Sequence, residues 1–272
     1  MTKEKILEVK DLTVTIDTRR VIDNVSFDLY PGQVMALVGE SGSGKTLTAL
    51  SILDLLPVGA VREKGEIRFR GKNIFELAPE EIRKIRGDRI AMVFQEPFTA
   101  MNPVMRAGVQ ITETIIAHKS CSAPQASGRL EELLDMVKLS REAARRYPHE
   151  LSGGMRQRLI LAMALACGPD VLILDEPTTA LDVSTQKQIL DLIKRIQEEG
   201  QYAVLFITHD FSVVNTIADK VCVMRQGLVM ERGTRDEVLR YPRHPYTRQL
   251  IDCIPRLGDR RQRLPAQDTA QE

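Results

Sequence analysis

Gly39-Glu40-Ser41-Gly42-Ser43-Gly44-Lys45-Thr46 is the stretch whose reading decides the fold. Its spacing is G-x-x-x-x-G-K-[ST], and its flanks matter as much as the string. The apolar run Val34–Val38 before it reads as a buried strand, and a helical run begins near Lys45. Glycines let consecutive backbone N–H groups turn toward one centre, and the start of a helix adds partial positive charge there. Lys45 then reaches the β and γ phosphates of a nucleoside triphosphate, and the Thr46 hydroxyl can ligate Mg2+. Gly39, Glu40, Ser41, Gly42, Ser43, Gly44, Lys45 and Thr46 together form the expected cradle.

A second element supports the first. Leu172-Ile173-Leu174-Asp175-Glu176 is a buried-strand run that ends in two acids. In a phosphate-loop enzyme, an acid in this place holds the metal and its neighbour orients water. Asp175 is therefore expected to bind Mg2+, and Glu176 to act as general base.

Around these two elements the chain alternates strand and helix. Ile6 to Val9, Val25 to Leu29, Gly65 to Phe69 and Ile90 to Phe94 read as strands, with a Pro31-Gly32 turn before Val34. From about Glu96 to Cys167 the strand signals vanish and helical spacing takes over, as in Leu130, Leu133, Leu134 and Val137. Alternation returns with strands at Val171 to Leu174, Val204 to Thr208 and Val221 to Met224. Between them come a helix from about Ser184 to Glu198, stopped by Gly200, and another near Phe211 to Ala218. This order predicts an α/β fold with a mostly parallel sheet covered by helices. The Arg/Gln-rich end after Gly258 reads as a loose tail.

Composition narrows the partners. With 38 basic and 37 acidic residues the net charge is +1, so no global field draws the protein toward nucleic acid or anionic lipid. The N-terminal MTKEKILEVK lacks the apolar core of a secretory signal, which predicts a cytosolic chain. The longest apolar run, Leu159 to Cys167, has nine residues, about half of the ~20 a membrane span needs. A membrane role would require separate membrane subunits. Cys121, Cys167, Cys222 and Cys253 form no CxxC pair and read as reduced, structural thiols.

Leu151-Ser152-Gly153-Gly154-Met155-Arg156-Gln157-Arg158 resembles the signature of ABC ATPases, a tract other phosphate-loop classes lack. Ser152, Gly153 and Gly154 offer backbone donors at the start of a helix whose apolar face is Met155, Leu159, Met163 and Ala166. Further landmarks of that family follow in order. Gln95 resembles the Q-loop glutamine that touches Mg2+ and water, Ala180-Leu181-Asp182 the D-loop, and His209 the switch histidine that contacts the γ-phosphate. The resemblance implies ATP and Mg2+ as ligands, with Thr46, Gln95 and Asp175 around the metal and Glu176, His209, Gln95 and Lys45 serving hydrolysis. It also implies that Leu151, Ser152, Gly153, Gly154, Met155 and Gln157 act in trans on the ATP held by a second subunit. One position departs from the pattern: where the adenine commonly stacks on an aromatic ring, the best-matching residue is Ile16.

Narrower features resemble importers of peptides and nickel. They are Phe94-Gln95-Glu96-Pro97-Phe98-Thr99-Ala100-Met101-Asn102-Pro103, Tyr147-Pro148-His149-Glu150 and His244-Pro245-Tyr246-Thr247. His149 and His244 each stand without a second metal ligand at helical spacing and read as structural. Oligopeptide and dipeptide members often continue into a cysteine-containing extension that can hold an iron-sulfur cluster. Only Cys253 is present here, so no cluster is expected, and the balance tilts modestly toward nickel-type members.

The resemblance implies a phosphate-loop NTPase core of RecA-like type, in which an N-terminal antiparallel β subdomain and an inserted helical subdomain accompany the parallel sheet. Residues 1–95 are read as the first part of the ATP-binding core, 96–167 as the helical signature subdomain, 168–235 as the second part of the core, and 236–272 as a short extension. The implied partners are a second ABC ATPase subunit, identical or paralogous, two transmembrane permeases and, indirectly, an extracytoplasmic binding protein, without nucleic acid. The implied location is the cytoplasmic face of the bacterial inner membrane. A soluble ABC ATPase of DNA repair or translation is the alternative, disfavoured because no coiled-coil, zinc or tandem insertion is visible.

Overall fold

The computed structural model describes residues 4–95, 101–179 and 181–253. Two sheets organise them. The larger contains β3 (Val34–Val38), β6 (Ile90–Val93), β7 (Val171–Asp175), β8 (Ala203–Thr208), β9 (Lys220–Arg225) and β10 (Leu228–Thr234) in the spatial order β10-β9-β3-β8-β7-β6. All neighbours are parallel except β10, which runs antiparallel to β9. Every residue of β3, β7 and β8 is buried. Unbroken apolar runs such as VMALV and AVLFIT are what a strand covered on both faces requires.

The smaller, antiparallel sheet has the order β2-β1-β4-β5, from β1 (Leu7–Ile16), β2 (Arg19–Leu29), β4 (Ala60–Phe69) and β5 (Lys72–Asn73). Its strands are longer than the sequence suggests. Asp11 takes a left-handed backbone, φ 48°, and the β1–β2 register shifts between Val9 and Leu12. This bulge breaks the alternation on which strand reading depends, so the pattern of β1 and β2 breaks off where the strands merely bend. Gly65 accommodates the same bulge from β4: a Cβ there would lie 2.6 Å from the Leu12 Cα. The sequence reading also lacks β10. It is an edge strand with the charged residues Glu231 and Arg232, reached through a two-residue turn in which Gln226 and Gly227 both have positive φ.

Between 101 and 167 the described residues contain helices and no strand, as the spacing predicts. These are α3 (Ala107–His118), α4 (Ala123–Met136), α5 (Arg141–Arg145) and α6 (Gly153–Ala164). Leu133, Leu134 and Val137 are buried and Leu130 packs at their margin. One core joins these helices to α7 (Val183–Gly200) and to one face of the parallel sheet, while the other face packs on the antiparallel sheet and α1 (Lys45–Ile52). Gly200 does not stop α7 by reversing the chain. It is the last helical residue, and Gln201 takes the left-handed turn at φ 52°. A side chain at 200 would collide with the Tyr202 ring, 2.1 Å from a Cβ, so glycine is needed there for space. The short helices α2 (Pro79–Ile85), α8 (Phe211–Ile217), α9 (Arg235–Arg240) and α10 (Pro245–Asp252) complete the described chain.

Candidate functional site

Five β residues end in the glycine loop, and the loop ends in α1. At Gly39 a Cβ would sit 2.1 Å from the Met224 carbonyl oxygen, so only glycine lets the chain leave β3 against the end of β9. Gly44, φ 100°, turns the backbone into α1 directly before Lys45. Lys45 is 5% exposed. Its Nζ donates to the carbonyls of Gly39 and Glu40, each at 2.8 Å, and lies 3.3 Å from Ser43 Oγ. Burial pushes the ammonium pKa down, against the pull of Glu176, Asp175 and Glu40. A cation is thereby held at the centre of the loop with its charge largely unsolvated.

The two acids stand at the adjoining strand ends. Asp175 closes β7 opposite Ile207 of β8 and is 1% exposed. Burial raises its pKa, the Thr46 hydroxyl beside it lowers it, and Glu176 and Lys45 act in opposite directions. Neither carboxylate oxygen finds a hydrogen bond of ordinary geometry among the described residues. Glu176 breaks the strand with φ 46°, its N–H donating to the Ile207 carbonyl at 3.0 Å. Its Oε2 accepts from Gln95 Nε2 at 3.0 Å and from Thr179 Oγ1 at 2.9 Å, and its Oε1 lies 3.0 Å from His209 Nδ1. Burial pushes the Glu176 pKa up, but the hydrogen bonds of His209 and Thr179 outweigh it and the carboxyl stays below its ordinary range. Gly39, Glu40, Ser41, Gln95, Glu176, Thr179, His209 and Leu250 line one pocket.

The structure thus brings together the loop, Asp175, Glu176, Gln95 and His209. Thr179 and Leu250 join them unannounced by the sequence reading. Thr179 follows the acids by one turn and was legible in principle, whereas nothing local marks Leu250. Ile16 is not among the residues lining this pocket; it is half-buried at the end of β1, where it pairs with Arg19 and Ala60. The loop touches the same hairpin through β2: a Cβ at Gly44 would lie 2.9 Å from the Val21 carbonyl oxygen.

The signature residues line no part of that pocket. Ser152 caps α6, accepting from the Met155 N–H at 3.3 Å, and Ser152 and Gly153 are exposed. Gly154 is pressed on α7, its missing Cβ 2.7 Å from Thr185 Cγ2. Two other members of this set are buried in this chain: Leu151, which precedes the helix, is 4% exposed, and Gln157, which the helix period turns inward, is 1% exposed. Asp182 caps α7, accepting from Thr185 N at 3.0 Å and Thr185 Oγ1 at 2.7 Å, and Leu181 packs at the core margin. Ala180 and the Glu96–Ala100 part of the Q-loop stretch fall outside the described residues, as does the tail after Gly258. His244 caps α10 through Nδ1, and no group of three or more His, Cys, Asp or Glu side chains placed to hold a metal occurs among the described residues.

Known proteins share this arrangement. The family model for ABC transporters matches residues 22–179, and that for the oligopeptide/dipeptide transporter C-terminal region matches 230–272. The chain is 46% identical over 260 residues to the oligopeptide transport ATP-binding protein OppD of Bacillus subtilis, covering 93% of this chain and 73% of that one. It is 46% identical over 261 residues to the dipeptide transport ATP-binding protein DppD of the same organism, covering 93% and 78%. The dimeric, post-hydrolysis structure of the ATP-binding cassette MJ0796 bound to ADP and Pi superposes with a TM-score of 0.75 at 28% identity, over 84% of this chain and 98% of that one. A glycine loop, a strand-end acid pair and a capped signature helix in one fold, with family matches over most of the length, leave one assignment: the chain belongs to the ABC transporter family.

Proposed function

We propose that this chain is the ATP-hydrolysing subunit of a peptide importer, bound to the cytoplasmic face of the membrane through partner permeases. The observation that carries the chemistry is the Glu176 carboxylate, held by Gln95, Thr179 and His209 in the pocket that opens on the phosphate loop. Peptide cargo is supported by the match of residues 230–272 and by the names of the two Bacillus relatives, and is favoured on that ground over nickel. The same match argues against a soluble repair or translation ATPase. No helix among the described residues is long and apolar enough to cross a membrane, which accords with separate permeases.

Mg2+ fits the residues present. Asp175 offers two buried oxygens that lack a hydrogen bond of ordinary geometry among the described residues, and the Thr46 hydroxyl stands beside them. Hard oxygen donors of this kind suit that cation, and an unpaired buried carboxylate is costly unless something cationic meets it. Asp175 and Thr46 would hold Mg2+ with Gln95 nearby, where it would neutralise phosphate charge.

The loop amides and Lys45 grip the β and γ phosphates. Glu176 accepts a proton from the attacking water as its oxygen bonds to the γ-phosphorus and the bond to ADP breaks. His209 orients Glu176 and reaches toward the γ-phosphate. Ser152 and Gly153, exposed at the start of α6, supply donors to the nucleotide of a second ATPase subunit, closing the site across a dimer. Gln95 lies where the core passes into the helices and so links nucleotide state to them, a two-state coupling passed on to the permeases. Size-exclusion chromatography with MgATP tests this reading: Glu176→Gln should bind ATP and accumulate as a closed dimer. Undiminished turnover in that variant removes Glu176 from the role of base.

A further inference from the structure

Apart from Leu250 in the pocket wall, the helix α10 has no part in what has been assigned so far to binding or hydrolysis. Glu231 of β10 fastens its N-terminus, Oε1 accepting from Arg243 N–H at 2.8 Å and Oε2 from His244 N–H at 3.1 Å. Arg248 donates back to the carbonyls of Pro242 and Arg243. The helix is thus fastened at its N-terminus, with Leu250 in the pocket wall and Tyr246 packed beside the strand that leads into the loop.

Tyr246, 3% exposed, packs in a cluster with Val38, the last residue before the glycine loop, and Phe211, which opens the helix after His209. The Arg225 guanidinium sits over its ring, 4.7 Å from the centroid, next in sequence to the Met224 that abuts Gly39. The Tyr246 hydroxyl faces the backbone and carboxylate of Glu40, yet no hydrogen bond of ordinary geometry satisfies it among the described residues. The Glu40 carbonyl is one of those gripped by Lys45. One helical turn further, Leu250 forms a wall of the pocket that contains Glu176 and His209.

We propose that α10 is a positioning element of the phosphate loop, in which Tyr246 sets Glu40 and Leu250 closes the side of the pocket where Glu176 and His209 stand. The inference rests on the reading of that loop as the ATP site. A buried hydroxyl without a good partner favours any state in which the loop shifts to complete the bond. Glu40 and Ser41 line that pocket together with Glu176, His209 and Leu250, so a terminal phosphate bound there would meet the loop on the side that Leu250 closes. ADP, one phosphate short, would not reach that side. Tyr246 and Leu250 therefore discriminate triphosphate from diphosphate, without touching the reacting atoms.

Titration calorimetry on the full chain tests this, with Mg2+ and either a non-hydrolysable ATP analogue or ADP. Tyr246→Phe keeps the ring and its packing, and Leu250→Ala opens the wall. Each should weaken binding of the analogue about three- to tenfold, the range expected for one hydrogen bond or one apolar contact, and change ADP affinity less than about twofold. Equal weakening for the two nucleotides, or unchanged affinity for the analogue in both variants, overturns the proposal and leaves α10 a purely structural brace. If the wild-type chain takes up neither nucleotide, the parent reading fails instead.

Discussion

His209 Nδ1 and Glu176 Oε1 lie 3.0 Å apart, though 33 positions separate them in sequence. The strand register produces this meeting: β7 and β8 are parallel neighbours with Asp175 opposite Ile207, so the residues just past each strand end face one another. Removing the base should be far costlier than removing its partner. Glu176→Gln is expected to lower turnover of the assembled transporter by about 10²–10⁴-fold, as loss of a general base does. ATP affinity, measured by equilibrium dialysis, should stay near wild type.

Thr179 offers a handle on pH dependence. The Glu176 carboxyl is held below its ordinary range because the hydrogen bonds of His209 and Thr179 outweigh burial. A depressed acid contributes stability that is present above its unfolded pKa and lost as pH falls through the folded value. The ionised base is likewise available further into acid. Thr179→Val should move the acid limb of the turnover profile toward higher pH; a limb that stays in place would show that Thr179 does not support the base.

Asp175 behaves in the opposite sense. Its pKa is raised chiefly by burial, so the charged form costs stability at neutral pH, and that cost is relieved as pH falls through the folded value. Asp175→Asn should therefore raise the melting temperature of the nucleotide-free chain by about 2–4 °C for each kcal/mol relieved. It should also abolish any further rise caused by Mg2+ with ATP. Calorimetric melting that shows no gain in the free variant would contradict the burial argument.

The contact between α6 and α7 can be probed by a double-mutant cycle. A Cβ at Gly154 would meet Thr185 Cγ2 at 2.7 Å, and that methyl cannot swing away freely because Thr185 Oγ1 is bonded to Asp182 at 2.7 Å. Gly154→Ala alone should destabilise by about 1–2 kcal/mol, overpacking exceeding the gain in helix propensity. With Thr185→Ser, which keeps the hydroxyl and drops the methyl, the same substitution should become neutral or stabilising. Additive effects in urea unfolding would mean the two residues do not collide.

Base selectivity bears on Ile16. An apolar contact in place of a stacked ring, with phosphate interactions dominant, predicts similar affinities for ATP and GTP. A preference of about a hundredfold in competition binding, on the order of 2.7 kcal/mol, would show that the base rests somewhere other than Ile16.

The parts of the site legible in the sequence are those whose chemistry is written in consecutive residues. A turn that must present amides to phosphate needs its glycines, lysine and hydroxyl in one string, and a strand-end acid pair announces itself by the apolar run before it. The antiparallel strands were half legible, since the bulge at Asp11 interrupts alternation while leaving the strand intact. Edge strand β10 carries too little apolar pattern to register. Leu250 reaches the pocket, and Tyr246 packs beside Val38 and Phe211, only through the way α10 is clamped on Glu231, a tertiary fact with no local trace. The burial of Gln157 was hidden for a related reason: it stands in one string with the exposed Ser152 and Gly153, and only its position in the helix period turns it in.

Lys45 bears on how fast this protein can work. Its ammonium, by holding the Gly39 and Glu40 carbonyls from within, braces the folded shape of the loop through the chain's own contacts. An arriving nucleotide exchanges partners with an existing cradle and need not order a slack segment, so little conformational entropy is lost on capture. Encounter frequency, rather than loop rearrangement, should then limit loading, and the slow events of the cycle belong to the movements that follow.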